Sequence, residues 1–179
     1  MRKIVLIVCG VLAAIVAVFV GVVAMQPADF RIIRSATMAA TPAEIFPHVN
    51  DFHKWDAWSP WAKLDPSMKQ TYEGPPVGTG AIYTWLGNAE VGEGRMTIID
   101  SKTDELVKIK LEFIKPFAAT NATEFTFKPE GENTLVTWSM DGDNTFMMKA
   151  FHLFMDMDKM IGADFEKGLA AMKGVVEAK

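Results

Sequence analysis

The sequence has a single cysteine, Cys9, and this residue lies within an apolar run near the N-terminus. A small secreted scaffold held by disulfides needs paired cysteines, so this class of protein is excluded. Runs of lysine and arginine are also lacking. After residue 25 the chain has 22 acidic residues against 16 basic ones, a net charge of −6. Because nucleic-acid binding needs clustered cations opposite the phosphates, we expect no nucleic-acid partner.

Residues 4–25 contain no charged side chain. As a helix this run spans about 33 Å, enough to cross a hydrocarbon core of about 30 Å. The apolar region of a cleaved secretory signal has only about 7–15 residues. We therefore predict that residues 1–25 form a single transmembrane anchor, with a cleaved signal sequence as the alternative.

The charges on either side of this run predict its orientation. Arg2 and Lys3 precede it directly, whereas Arg31 and Arg34 follow at some distance. Positive residues favour the cytoplasmic side. We expect a cytoplasmic N-terminus and a C-terminal domain in the periplasm or outside the cell.

Two short helices are predicted after a first strand at residues 30–38. Thr41 is suited to an N-cap, Pro42 to the first helical position, and Glu44 to the third position of a capping box. Pro47 and Asn50 interrupt this helix and keep it short, and Asp51 begins a second short one.

The middle of the chain has the pattern of an antiparallel meander. Segments of about 6–11 residues alternate with turn signals rich in glycine, proline and asparagine. Apolar and polar side chains alternate in two of the segments, which indicates a sheet with one buried face. The predicted strands of this region are residues 68–73, 81–86, 91–100, 106–114, 122–128 and 135–140.

Residues 145–177 carry apolar residues at steps of three and four, Phe154 among them, which predicts one long helix with a single buried apolar stripe. Packing this helix on the apolar face of the sheet buries both surfaces. The predicted fold is therefore α+β, with a curved antiparallel sheet of about seven strands, two short helices and a long C-terminal helix, preceded by one transmembrane helix.

Several motifs resemble those of a known superfamily. They are A-T-P-A-E-I-F at residues 40–46, W-S-P-W at residues 58–61, the pair Asp65-Pro66, and the glycine-rich stretch of residues 74–80. With them the chain resembles the START-like (SRPBCC) superfamily, in its polyketide cyclase/dehydrase and lipid transport branch, and most closely the membrane-anchored bacterial members. The resemblance covers residues 28–178. It implies a helix-grip domain with a cavity between the sheet and the C-terminal helix.

The resemblance and the strand alternation together indicate a set of ligand-binding side chains. The alternative is that the same side chains form a solid core, as large apolar residues usually do. Methionines in the last helix slightly favour a cavity, because flexible thioethers adapt to varied apolar ligands. The candidates are Trp58, Trp61, Tyr83, Trp85, Met96, Phe113, Phe125, Trp138, Met140, Met157, Ile161 and Phe165.

Residues suited to catalysis or metal binding are few. Tyr83, Glu93 and Arg95 are weak candidates for acid–base chemistry, and each is also explained as a structural or exposed residue, so we assign no catalytic residue. A cluster of residues 48–56 with two histidines and two aspartates crosses a helix break, where Asp51 is explained as an N-cap. We expect no metal and no cofactor.

Three functions are compatible with these observations. We expect a membrane-anchored binding domain for a hydrophobic small molecule or lipid. The alternatives are a cyclase or dehydratase that uses the same cavity, and a protein-interaction module. The lack of a nucleophile or triad pattern favours a binding domain over an enzyme.

Overall fold

A computed structural model describes residues 2–178, and these divide into two compact units. The N-terminal unit comprises the residues up to Phe30 together with Asp143–Met157, and the sheet unit comprises Arg31–Gly142 and residues 158–178. A 3₁₀ helix, Phe52–Ala57, accompanies the α-helices and strands. The other elements are α1 (Arg2–Ala24), β1 (Asp29–Met38), α2 (Pro42–Asn50), β2 (Lys69–Glu73), β3 (Ile82–Leu86), β4 (Glu93–Lys102), β5 (Leu106–Lys115), β6 (Ala119–Glu130), β7 (Asn133–Asp143), α3 (Phe146–His152) and α4 (Met157–Glu177).

The seven strands form one curved antiparallel sheet in the order β1-β7-β6-β5-β4-β3-β2. This confirms the predicted antiparallel sheet of about seven strands. Each strand from β2 to β7 pairs with its neighbour in the chain, as in a meander, and β1 joins the sheet beside β7. β2 therefore lies at one edge of the sheet and β1 at the other.

One face of the sheet, here called the inner face, carries the aromatic core. Trp138 on β7 lies opposite Phe125 on β6, which in turn lies opposite Val107 on β5. All three side chains are buried. Because side chains alternate between faces along a strand, this register places every second residue on the inner face, except where register shifts interrupt β4 at Glu93–Gly94 and Ile98–Asp100.

The predicted helix starts are confirmed. The Glu44 carboxylate accepts hydrogen bonds from the Thr41 backbone N–H (2.7 Å) and the Thr41 hydroxyl (2.9 Å). Asp51 accepts one from the backbone N–H of His53 at 3.0 Å and begins the 3₁₀ helix. α2 ends at Asn50 as expected, but Pro47 lies inside the helix and does not interrupt it.

The prediction of one continuous helix over residues 145–177 is wrong, because the chain bends at residues 153–156 and forms α3 and α4. The last turn of α3 tightens, with the N–H of Phe154 donating to the Phe151 carbonyl at 3.0 Å. Asp156, a residue type favoured at N-caps, precedes the first residue of α4. Phe154, expected in the buried stripe, is 78% exposed.

α4 is held on β1 by an ion pair network. Arg34 lies at an inward position of β1, and its guanidinium contacts Asp158 at 2.9 Å and Glu166 at 2.8 Å. The hydrogen bond to Asp158, followed by that to Glu166, raises the pKa of Arg34. At the far end of α4, the Lys173 ammonium donates to the Thr37 carbonyl at 2.9 Å. Both ends of the helix are therefore fixed to the same strand.

The N-terminal unit is dominated by α1, whose length and composition are sufficient to cross a membrane. A signal sequence near an N-terminus also meets these criteria of length and composition. Among the described residues of α1, Val23 alone is buried, and its other apolar side chains are exposed. α3 packs against α1 within this unit.

Candidate functional site

Part of the inner face is filled with aromatic rings. Trp138 stacks on Phe165 of α4 with a centroid separation of 3.9 Å and on Phe125 at 4.8 Å. Trp58 meets the edge of Trp138 at 5.7 Å, and its indole N–H donates to the His48 carbonyl at 2.9 Å. These four rings are at most 2% exposed. Stacking at this distance leaves no space between β7 and α4, so this part of the inner face is core.

The inner face of β3–β5 is less covered. In the register Tyr83 lies opposite Met96, which lies opposite Leu111, and Phe113 lies on the same face of β5. Tyr83, Leu111 and Phe113 are only half-buried, whereas the side chains at the Trp138 end are fully covered. We name this set, with Trp85, the inner-face patch: Tyr83, Trp85, Met96, Leu111 and Phe113.

The position of Trp85 within the patch is fixed by its neighbours. Its indole N–H donates to the Val91 carbonyl at 3.0 Å, and its ring meets Phe113 edge to face at 6.1 Å. Gly94 lies directly opposite Trp85 on β4, and a Cβ there would overlap the indole ring. Glycine at position 94 therefore leaves the space that the Trp85 ring occupies.

Polar groups also lie on the inner face. Burial raises the pKa of Tyr83, with a smaller contribution from Tyr72, so this phenol is neutral at physiological pH. Asn121, opposite Leu111, is buried and its side-chain amide donates to the Met140 thioether at 3.8 Å, a weak acceptor. The patch and the adjoining Asn121 thus combine an apolar surface with two uncharged hydrogen-bonding groups, the Tyr83 phenol and the Asn121 amide.

A separate pocket of about 230 Å³ lies at the edge of the sheet beside β2. His53 stacks on Tyr72 there at 4.0 Å. This pocket was missed by the sequence analysis, because it depends on long-range packing of the 3₁₀ helix against the turn after β2. Its lining residues are Phe52, His53, Tyr72, Glu73, Gly74, Pro75, Pro76, Ala81 and Ile82.

The structure separates the predicted ligand-binding residues into three groups. Tyr83, Trp85, Met96 and Phe113 belong to the inner-face patch, and Met157 belongs to the N-terminal unit. The remaining residues lie in or beside the filled core. They are Trp58, Phe125, Trp138, Met140 and Phe165, which are buried, and Trp61 and Ile161, which are half-buried.

The three weak candidates for acid–base chemistry are not brought together. Tyr83 lies on the inner face, whereas Arg95 lies on the opposite face, in register with Thr84. Glu93 forms an ion pair with Lys115 at 2.7 Å. Within residues 2–178 the structure also places no three histidine, cysteine or acidic side chains where they could hold a metal ion.

Asp65, part of the motifs that carried the resemblance, has a structural role. One carboxylate oxygen accepts hydrogen bonds from the Ser67 hydroxyl (2.7 Å) and the Ser67 backbone N–H (2.9 Å), and the other accepts from the Asn88 N–H at 2.7 Å. These hydrogen bonds lower the pKa of Asp65. The largest contribution comes from the Ser67 hydroxyl, followed by the Asn88 N–H. This carboxylate therefore joins the loop before β2 to the turn after β3.

Known structures share this fold. A protein from Chromobacterium violaceum aligns with a TM-score of 0.59 at 13% identity, covering 86% of this chain and 100% of its own. The ginseng major latex-like protein 151 from Panax ginseng aligns at 0.60 and 12% identity, covering 84% and 99%. The Aha1 dimer from Colwellia psychrerythraea gives 0.59 and 12%, covering 83% and 97%.

No curated protein matches the sequence. A family model does match it, over residues 29–177, which include the whole sheet, α2, the 3₁₀ helix and α4. The chain belongs to the polyketide cyclase/dehydrase and lipid transport family.

Proposed function

We propose that this protein is a membrane-anchored binding domain that holds a hydrophobic small molecule or lipid on the inner-face patch. The observation that carries the proposal is the partial exposure of Tyr83, Leu111 and Phe113 on a face whose other end is filled by the aromatic core around Trp138. Aromatic and aliphatic side chains facing inward, yet still in contact with water, gain free energy when a ligand covers them.

The polar groups beside the patch favour an amphiphile over a pure hydrocarbon. Asn121 has amide N–H groups whose partner in the protein is a thioether, and it lies across from Leu111. A ligand carbonyl, hydroxyl or carboxyl oxygen is a stronger acceptor. The description of the family names lipid transport, and lipids carry oxygen groups of this kind.

The proposal includes membrane attachment through α1. An exposed apolar helix of 23 residues has no favourable environment in water. With Arg2 and Lys3 at its start, the positive-inside rule favours a cytoplasmic N-terminus and an external domain. The anchor would keep the sheet unit close to a lipid source.

Site-specific photo-crosslinking of the full chain in its own membranes tests the binding site. A benzophenone amino acid replaces Phe113 in one variant and, as the matched control, Lys110 on the outer face of the same strand. We expect a small-molecule adduct at position 113 and none at position 110, measured as added intact mass. Equal labelling at both positions, no adduct at position 113, or an adduct of protein mass there would each overturn the proposal.

A further inference from the structure

The N-terminal unit has a second exposed apolar surface besides α1. In α3 and residues 153–155, five large apolar side chains within ten residues are exposed to between 43% and 78%. We name this set the α3 face: Phe146, Met147, Phe151, Phe154 and Met155. Soluble proteins seldom leave a contiguous apolar surface of this kind without a partner.

The exposed side chains lie on one side of the helix. Met147 and Phe151 are four residues apart in α3, which places them on a common face, and Phe154 continues this spacing in the turn that follows. Lys149 lies on the opposite side and is half-buried. α3 is therefore amphipathic, with its apolar side turned away from the protein.

Hydrogen bonds fix the start of α3 to the segment that leaves α1. The Asn144 side chain donates to the carbonyls of Pro27 (3.2 Å) and Asp29 (3.0 Å), and its backbone N–H donates to the Ala28 carbonyl at 2.7 Å. Thr145 then caps α3 by accepting from the Met148 N–H. Since α3 also packs against α1, its depth relative to α1 is set by the fold.

We infer that the α3 face lies in the interfacial layer of the bilayer that α1 crosses. The inference rests on the proposed membrane attachment. If α1 spans the membrane, Ala24 and Met25 reach the lipid–water boundary, and α3 is held at that level. Phenylalanine and methionine side chains of an amphipathic helix enter this layer by about 5–10 Å. The exposed surfaces of α1 and the α3 face are thus covered by the same partner, a lipid surface.

Depth-dependent fluorescence quenching tests this placement in the full chain. Cys9 is first replaced by alanine, and a single cysteine labelled with the dye NBD is then introduced at Val11, Phe151 or Phe154. Each protein is placed, one copy per disc, in phosphatidylcholine nanodiscs whose acyl chains are brominated near the headgroup or near the chain end. Unbrominated discs are the lipid control, and Lys149→Cys is the matched variant on the opposite side of α3.

We expect bromines near the headgroup to quench the dye at positions 151 and 154 at least roughly twofold more than at position 149. Bromines near the chain end should quench the dye at position 11. Quenching at position 11 without quenching at positions 151 and 154 would overturn the inference and leave the anchor intact. The absence of quenching at all positions would refute the anchor itself. Protection of position 151 from aqueous iodide only in discs loaded with two copies would assign the α3 face to a second copy and also overturn the inference.

Discussion

Gly162 of α4 lies against the guanidinium of Arg34 on β1, so closely that a Cβ at position 162 would overlap that group. The guanidinium contacts Asp158 and Glu166, which lie on α4 on either side of this glycine. A glycine inside a helix costs about 0.5–1 kcal/mol relative to alanine. Because Gly162 has no side chain, the guanidinium of Arg34 can lie next to α4 and contact both Asp158 and Glu166.

The first prediction concerns this glycine. Gly162→Ala removes the intrinsic cost of glycine but displaces Arg34 from its carboxylates, and overpacking of this kind costs about 1–3 kcal/mol. We expect a net loss of stability in thermal unfolding of the full chain in detergent. Gly174→Ala, in the same helix with open space around it, is the matched control and should be neutral or stabilising. Equal effects of the two substitutions would contradict the role given to Arg34.

The second prediction is a pH dependence at Asp65. Hydrogen bonds from the Ser67 hydroxyl and the Asn88 N–H lower its folded-state pKa. The ionised carboxylate therefore stabilises the fold at pH values above its unfolded-state pKa of 3.8, and this stabilisation is lost as the pH falls through the folded-state pKa. Asp65→Asn should therefore lower the melting temperature at pH 7, and its effect should disappear once the pH is below the folded-state pKa of Asp65.

The exposed Glu132 in the turn after β6 provides the control for this titration. Glu132→Gln should leave the melting temperature close to that of the wild type at pH 7. If the difference between wild type and Asp65→Asn stayed constant from neutral to acidic pH, the stabilisation would not come from the ionised carboxylate.

Local patterns in the sequence predicted most of the fold. Thr41 and Asp51 were recognised as N-caps because capping depends on residues within one turn, and the strands were recognised from alternation and turns. The bend at residues 153–156 was missed. The apolar spacing continues through it, and the exposure of Phe154 depends on its surroundings in the fold rather than on the local sequence.

The candidate site was less predictable. Strand alternation and the family resemblance together placed Trp138 and Phe113 on the same face correctly, but they contain no information on which of the two α4 covers. Arg34 was interpreted only as a charge outside the membrane. Its position between the inward-facing Ile32 and Met38 was a signal that it needs a partner of opposite charge, but that partner, Asp158, is 124 residues away in the sequence.

The third prediction concerns the N-terminus. If α1 is an anchor, the mature protein keeps residues 1–25 and sediments with membranes after a carbonate wash. Intact mass of the purified protein gives the answer directly. An N-terminus near Met25 would identify the segment as a cleaved signal and remove the basis for membrane attachment.

The fourth prediction concerns the side of the membrane. Arg2 and Lys3 favour a cytoplasmic N-terminus, so alkaline phosphatase fused after residue 179 should be exported and active. A fluorescent protein that folds only in the cytoplasm, fused at the same position, should be dark. The reverse result, an inactive phosphatase and a bright fluorescent protein, would invert the topology.

The last prediction separates the filled core from the inner-face patch by comparing stability with binding. Trp138 is 2% exposed and stacked on two rings, so Trp138→Ala should cost about 3–5 kcal/mol of stability. Phe113 is half-buried, and Phe113→Ala should cost only about 1–2 kcal/mol, since part of its ring already contacts water.

Ligand binding should show the opposite order, with the substitution at Phe113 having the larger effect and the substitution at Trp138 the smaller one. Native mass spectrometry of the full chain, extracted from its own host, measures the fraction that carries a small molecule. We expect Phe113→Ala to lower this fraction strongly. Trp138→Phe keeps an aromatic ring in the core and should leave the fraction near the wild-type value. A larger loss of ligand in Trp138→Phe than in Phe113→Ala would move the binding site from the patch to the interface between β7 and α4.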